Sequence, residues 1–554
     1  MLLLFFAKYA AILALLLITA VAAGTLAVGG SDGIAFRAAV GVALCGHACF
    51  LLAAIGQLRA IPLIVLMAAA LTGGALRFRG IEWPAASRIG VCAVVIAPLF
   101  VLALYPPLAF DETTYHLRFI RSLAHHGALR FLPDVRFPVF PQLHESLCVP
   151  LFLLGGDTAT HLAALAEALV TAALLVAWGS RHDARAGWLA AALFLGSPLV
   201  TSLATITYVD AALALFVTAG FYALDRERFA LAGFFLGTAC SVKYLGGYFA
   251  VAALIIVLVR TAGRRRHAGA FMIACAVAAL PVTTWIFLTT HNPVFPFFGS
   301  SPWVWVVPSS ESAISPGGRA IRVLRVMWDV TFARYRTNYQ PPVTPLLIPI
   351  VVVVAIAAFR DRRARWVAVL YACYLAAFVF LPQDSRYLMP LIPLLSITAA
   401  VSIAATRWAR ASALIALVAV LPGVAYAGYR EALLGVPPPA TESQRAEWLG
   451  DHAPGYRAVV RAGNARIYVC GGERLKDYAS GELLGDFNGP FSYDRILGGA
   501  HDSAAIAQRL RSIRAAYFLV VKSNCESPPA TGGMVLTYED AASQLWLVQP
   551  SSAR

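Results

Sequence analysis

IGVCAVVIAPLFVLALYPPLAFDETTYHLRFIRSLAHHG, residues 89–127, begins as an uncharged apolar run and turns polar at Asp111 and Glu112. The run up to residue 106 has the composition of a membrane-crossing helix and nearly the about 20 residues that about 30 Å of hydrocarbon requires. An acidic pair directly behind it stands at the mouth of the membrane, where carboxylates are costly unless solvated, paired or used. Beyond the pair, His116, Phe119, Ile120 and Leu123 recur at helical spacing, with Thr114, Arg118, Arg121, Ser122 and His125 elsewhere on the wheel. That pattern predicts an amphipathic helix lying in the interface. Asp111 as N-cap and Glu112 near the positive end of the helix dipole would also serve simply to start it.

The rest of the chain has the same apolar character. Hydrophobic residues make up 59% of the 554 and charged residues 13%, with a mean hydropathy of +0.71. A soluble fold has no interior large enough to hide that surface. Runs such as KYAAILALLLITAVAAGTLAVGG (8–30) and GWLAAALFLGSPLV (187–200) recur. They predict an all-α polytopic membrane protein with about 13–14 transmembrane helices and a small C-terminal soluble α/β domain. The first run reads as a retained anchor, since further spans follow and no small-residue cleavage site stands where a signal peptide would have one. The net charge of +15 is distributed between hydrophobic segments, which points to topology and not to nucleic acid. The nine cysteines follow no metal-ligand spacing.

Charge then orients the chain. From residue 158 onward one set of connections is basic: RHDAR (181–185), DRER (225–228), RTAGRRRH (260–267), RDRRAR (360–365) and RWAR (407–410). The alternate set, near 201–206, 242–246 and 382–386, holds only Lys243 and Arg386. The positive-inside rule makes the first set cytoplasmic. Residues 107–146, 290–342 and the tail from about 430 then face the other side, which in a bacterial inner membrane is the periplasm. The boundaries follow: N-terminal helices over 1–106, a first external loop over 107–146, a transmembrane core over 147–430 with the loop 290–342, and a periplasmic domain over 431–554. Four candidate spans precede residue 107, and RFRGIEWPAASR (77–88) looks cytoplasmic. Either the N-terminus is external or one of the four does not cross.

In the tail, GVPPPATESQ (435–444) is a Pro-rich linker. ARIYVC and AAYFLVVKS read as buried strands, SAAIAQRLRSIR as a helix before the second, and MVLTYEDAASQLWLVQ as a closing hairpin. Cys470 and Cys525 both follow strand-like runs, and an oxidising compartment would permit them to pair.

The candidate site residues come from the external side. Asp210 in TYVDAALAL, Lys243 in SVKYLGG, His291 and Asn292 in THNPVFPFF, and Arg386 with Tyr387 in QDSRYLMPLIP each lie at or just inside a span boundary on the side that holds Asp111. Lys243 and Arg386 run against the charge trend. Such residues either snorkel to headgroups or bind phosphate, Lys as a point charge and Arg as a fork. Asp210 is a partner for one of these cations or a contact to a sugar hydroxyl.

FDETTYHLRFIRSLAHHG (110–127), FPQLHESL (140–147), GTACSVKYLG (237–246), HNPVFPFF (291–298) and RYLMPLIPLL (386–395) together resemble the C-type glycosyltransferase (GT-C) superfamily over residues about 107–405. Aminoarabinose transferases and protein O-mannosyltransferases belong to it, and the likeness is closest to bacterial members with a Tyr-His-Leu sequence in the first loop. Two features depart from the family pattern: about four spans precede the acidic loop where one is usual, and the loop lacks a Lys-Pro-Pro. The resemblance implies transfer of a sugar from a polyprenyl-phosphate donor to a lipid, glycan or protein acceptor outside the cytoplasm, with inversion. It implies Asp111 as general base and Lys243 and Arg386 as cations for the leaving phosphate. Glu112, His116 and Asp210 would orient sugar or acceptor, with Tyr115, His144, Glu145, Tyr244, Asn292 and Tyr387 also binding substrate. No cofactor is demanded, though Glu112 is available to a divalent cation if the reaction uses one.

The alternatives are a transporter or flippase, or a polymerase or ligase, of lipid-linked saccharides. A transporter would show internal repeats and midplane sites, and a polymerase would concentrate cations in late loops without an acidic pair in the first.

Overall fold

Backbone polar groups in hydrocarbon must be satisfied within their own segment, so the apolar runs fold as helices. The computed structural model of the chain describes every residue except 30–31, 78–85, 261–262, 299–315, 333–340, 379–383, 488, 499–501, 526–531 and 551–554. Much of the loop 290–342 and of the stretch 77–88 therefore lies outside the described residues.

The first four helices are α1 (Leu2–Val28), α2 (Ile34–Ala54), α3 (Ala60–Arg77) and α4 (Ala86–Leu102). A π-helical turn, Glu112–His116, runs into α5 (Leu117–His126), followed by α6 (Leu143–Gly155) and α7 (Asp157–Gly179). The bundle continues with α8 (Ala184–Leu195), α9 (Pro198–Leu203), α10 (Asp210–Asp225), α11 (Phe229–Val242), α12 (Gly246–Arg260) and α13 (Arg264–Thr290). After α14 (Pro316–Phe332) come α15 (Leu347–Ala358), α16 (Arg362–Phe378), a 3-10 turn Ser385–Leu391, α17 (Ile392–Ala404) and α18 (Ser412–Leu434). Among the described residues, seven helices are long and apolar enough to cross a membrane, and five more are apolar but shorter. The chain is a multi-pass membrane protein. Local interruptions shorten some helices: Gly196 and Ser197 separate α8 from α9, whose first residue is Pro198.

The N-terminal alternation is settled by three contacts. Asp32, between α1 and α2, pairs with Arg226 at 3.0 Å and Arg228 at 2.7 Å, so this turn joins the basic face of the bundle. At the opposite end of α1 the Tyr9 hydroxyl donates to the Gly155 carbonyl at 3.0 Å, beside the start of α7. The Arg77 guanidinium donates to Leu26 O at 2.8 Å, which returns the end of α3 to the basic face. The N-terminus thus lies on the same face as the first loop, the first of the two arrangements the sequence left open.

α1 and α2 approach backbone to backbone. A Cβ on Gly41 would stand 1.6 Å from Ala20 O, and one on Gly24 would stand 1.8 Å from Arg37 O. Small residues at such crossings allow the dispersion contact that holds helices together in lipid. Gly41→Ala is expected to lower the thermal midpoint of the detergent-solubilised protein by forcing the pair apart, at a cost on the order of 1–3 kcal/mol; an unchanged midpoint would refute this close crossing.

The tail forms α19 (Glu442–His452), α20 (Tyr456–Ala462), β1 (Ile467–Cys470), a 3-10 turn (Glu473–Tyr478), β2 (Leu483–Leu484), α21 (Tyr493–Ile496), α22 (Ser503–Ser512), β3 (Tyr517–Val521), β4 (Met534–Glu539) and β5 (Ser543–Val548). Sheet order is β2-β1-β3-β5-β4, with β1 parallel to β2 and β3, and β5 antiparallel to β3 and β4. Strand side chains alternate between faces. Ile467, Val469, Leu519 and Val521 pack with Leu449 and Val459 of α19 and α20, while Tyr468, Cys470, Phe518 and Val520 pack with Ala507 and Leu510 of α22. This is the α/β domain the strand and helix runs predict, and Cys470 and Cys525 are joined in a disulfide.

Candidate active site

The domain sits directly on the first loop. Arg121 makes two hydrogen bonds to Asp477, at 3.2 and 3.0 Å. Arg136 grips Asp486 at 3.0 and 2.6 Å, Lys476 donates to Asp134 O at 2.7 Å and to Asp486 at 3.4 Å, and Tyr478 hydrogen-bonds Pro107 O. The predicted interfacial helix is therefore roofed by protein. Residues 112–116 are all buried, and the polar side of α5 offers Arg121 to Asp477 instead of to headgroups.

Beneath this roof the chain brings Asp111 and Arg386 into direct contact across 275 residues of sequence. Asp111 is 7% exposed, and its backbone N–H donates to the Tyr208 hydroxyl at 3.0 Å. Burial alone would raise its carboxyl, but the Arg386 guanidinium and, to a lesser degree, His116 hold it down at about 2. Arg386 also reaches Asp384 at 2.9 Å and lies over the rings of Tyr208 and Tyr387, 5.1 and 5.5 Å from their centroids. Lys243 pairs with Asp210 at 2.7 Å and stands 4.4 Å from the centre of the same Tyr387 ring. The two exceptional cations of the site face thus meet on either count at one aromatic side chain. Tyr115 is buried against Asp111, and burial together with that carboxylate pushes its hydroxyl well above the ordinary range, so it remains a donor.

Glu112 is occupied differently. One carboxylate oxygen accepts from His161 Nε2 at 2.7 Å and the Thr207 N–H at 2.5 Å, the other from the Ala109 N–H at 3.1 Å. Burial opposes its ionisation, yet these donors hold the carboxyl below its usual range. His161 Nδ1 faces Ala103 O at 3.0 Å and must donate to it, so the Nε2 contact carries a second proton. A cation at Glu112 would face these donors, and the residue fits a brace between α7, the loop before α10 and the first loop better than it fits a metal ligand. Among the described residues no group of three or more His, Cys, Asp or Glu side chains could hold a metal.

The other candidates are engaged with partners of their own. His116 pairs with Glu145 at 2.6 Å and His144 with Glu167 at 3.0 Å, all four buried. These pairs fix α6 against α7 and against the π-turn. The Tyr244 hydroxyl donates to Phe295 O at 2.8 Å. Asn292 turns on itself, accepting from Val294 N–H at 3.0 Å and donating to Phe297 O at 2.6 Å, so it shapes its own loop.

A cavity of about 400 Å³ adjoins Arg386, lined also by Tyr105, Phe110, Tyr208, Arg430 and Arg474. Arg430 and Arg474 are not among the residues that the sequence marks as candidates. Arg430 sits four residues before the end of a span on the site face, a third basic exception of the same kind as Lys243, and that was the available signal. Arg474 lies in the soluble domain, where a single arginine carries none.

The fold is similar to that of ArnT from Cupriavidus metallidurans. Its apo crystal structure matches with a TM-score of 0.53 at 14% identity, over 83% of this chain and 98% of that one. The chain has the GT-C fold. The ArnT structure bound to undecaprenyl phosphate matches the same way, with a TM-score of 0.53 at 15% identity over 84% of this chain and 99% of the other. A protein-family model described as dolichyl-phosphate-mannose-protein mannosyltransferase matches residues 142–287. This segment runs from the end of the first loop into α13. A sequence search finds no match among curated proteins. The GT-C resemblance drawn from the first loop and the later pieces therefore stands.

Proposed function

We propose that this chain is an inverting glycosyltransferase that moves a sugar from a polyprenyl-phosphate donor to an acceptor on the periplasmic face of a bacterial inner membrane. The observation that carries the reading is the meeting of Asp111, Arg386 and Lys243 around Tyr208 and Tyr387. The solved complex of ArnT with undecaprenyl phosphate supports a donor of that class.

In the proposed step an acceptor hydroxyl oxygen attacks the anomeric carbon while the bond from that carbon to the phosphate oxygen breaks. The hydroxyl proton passes to the Asp111 carboxylate, and the bonding pair leaves on polyprenyl phosphate, whose charge Lys243 and Arg386 take up. At rest Arg386 silences Asp111, because a carboxylate titrating at about 2 holds a proton poorly. A donor phosphate competing for Arg386 would free the carboxylate and restore its basicity. Base activation is thereby tied to donor binding.

The test is an assay of the purified full chain in lipid vesicles with radiolabelled undecaprenyl-phosphate sugars and a bacterial glycolipid extract as acceptor. Released undecaprenyl phosphate with label in a new glycosidic bond is the expected result. Label carried across the bilayer with no new bond would replace this reading with a transporter.

A further inference from the structure

The cavity beside Arg386 has an electrostatic composition that the donor reading does not use. Arg386 contributes one guanidinium to its wall, α18 contributes Arg430, and the 3-10 turn of the C-terminal domain contributes Arg474. Two carboxylates line it as well. Glu112 is fully engaged by His161 and two backbone N–H groups, and Asp384 stands beside Arg386. Neither Arg430 nor Arg474 has a carboxylate partner among the described residues. The exposed Arg474 lies over the Phe110 ring, its guanidinium carbon 5.5 Å from the ring centroid. Arg430 is half-buried and Arg474 exposed, and with no carboxylate of their own both are free to meet an anion entering a cavity large enough for a small ligand.

The position of the cavity decides which ligand. Phe110 and Glu112, which flank Asp111 in sequence, line it, and Lys243 does not. Arg386 is the shared wall, touching Asp111 on one side and facing the cavity on the other. A ligand here would meet Asp111 once a donor phosphate had drawn Arg386 away, which is where an attacking hydroxyl has to be.

We infer that this cavity takes the acceptor, and that the acceptor carries a phosphate group held between Arg430 and Arg474. The inference rests on the reading of Lys243 and Arg386 as the donor's phosphate site. It makes the C-terminal domain a wall of the binding site, since Arg474 comes from it. A guanidinium fork recognises a phosphate by paired hydrogen bonds as well as by charge, so Lys at either position would be a poorer substitute.

Inorganic pyrophosphate is a suitable soluble probe, titrated calorimetrically into the full chain preloaded with undecaprenyl phosphate so that the donor site is filled. Against wild type, the double variant Arg430→Gln/Arg474→Gln should lose at least about tenfold in pyrophosphate affinity. Its affinity for undecaprenyl phosphate should stay within about twofold, which also reports that the bundle is folded. Arg430→Lys/Arg474→Lys should recover part of the pyrophosphate affinity. Unchanged pyrophosphate binding in the Gln pair would overturn the anion site. A parallel fall in undecaprenyl phosphate affinity would assign the cavity to the donor and overturn the acceptor reading. A wild type that takes pyrophosphate through these arginines and no undecaprenyl phosphate would sink the donor reading and the acceptor assignment with it, leaving an anion site of another kind.

Discussion

Asp111→Asn is expected to reduce turnover by on the order of 10²–10⁴-fold, the range for loss of a positioned base, while leaving undecaprenyl phosphate binding as tight as in wild type or tighter. The second half of that expectation distinguishes a base from a structural carboxylate. In the resting protein Asp111 and a donor phosphate compete for the same guanidinium, so the Asn variant offers Arg386 to the ligand without that competition. Turnover within about threefold of wild type would remove Asp111 from the chemistry. The pH dependence follows from the same pair. Because the folded-state value lies below the ordinary 3.8, the stabilisation the pair gives is complete above about pH 4 and is lost as pH falls through about 2. Log kcat/KM, which reports the free enzyme, should accordingly show no acid limb from Asp111 above about pH 4, whereas kcat, which reports the bound state with Arg386 drawn to phosphate, should show one at higher pH.

Asp486→Ala should separate the C-terminal domain from the bundle. Asp486 is 2% exposed and is gripped by Arg136 and Lys476, whose side chains are 11% and 3% exposed. Removing it leaves Arg136 without its carboxylate and Lys476 with only the Asp134 carbonyl, and loss of one partner of a buried pair costs about 3–5 kcal/mol. Faster protease cleavage in the linker 435–441 and a lower thermal midpoint are the measurements. Asp451→Ala is the control, since its pair with Arg457 is exposed on both sides and its loss should change neither. Cleavage at the wild-type rate in the Asp486 variant would mean that the domain is held by its apolar contacts alone.

Sidedness was legible in the sequence because charge alternation is a local property of each connection, and it brought Asp111, Asp210, Lys243 and Arg386 to one face. Which carboxylate meets which cation was not legible. In the sequence Asp210 suits a cation or a sugar hydroxyl equally, and only packing of α10 against the end of α11 sets it on Lys243. The strands of the tail were readable because their apolar runs are short and separated by turn residues, and both faces of the sheet are covered. The π-turn at Glu112–His116 left no mark, since helical spacing is satisfied equally by residues a turn apart in either geometry. The apolar stripe of α5 was read for lipid, although a stripe does not say what covers the opposite side. Asn292 has the chemistry of a sugar-binding residue, but its side chain is committed to neighbours two and five residues away, which spacing alone does not reveal.

Tyr9 of α1 hydrogen-bonds beside the start of α7, and Lys8 and Tyr9 share a cleft with Pro439 and Arg445 of the segment leading into the soluble domain. The first turns of α1 therefore lie beside the segment through which the chain enters its C-terminal domain. A tag or partner fused ahead of α1 would crowd that linker, on the face of the bundle that carries Asp111 and Arg386.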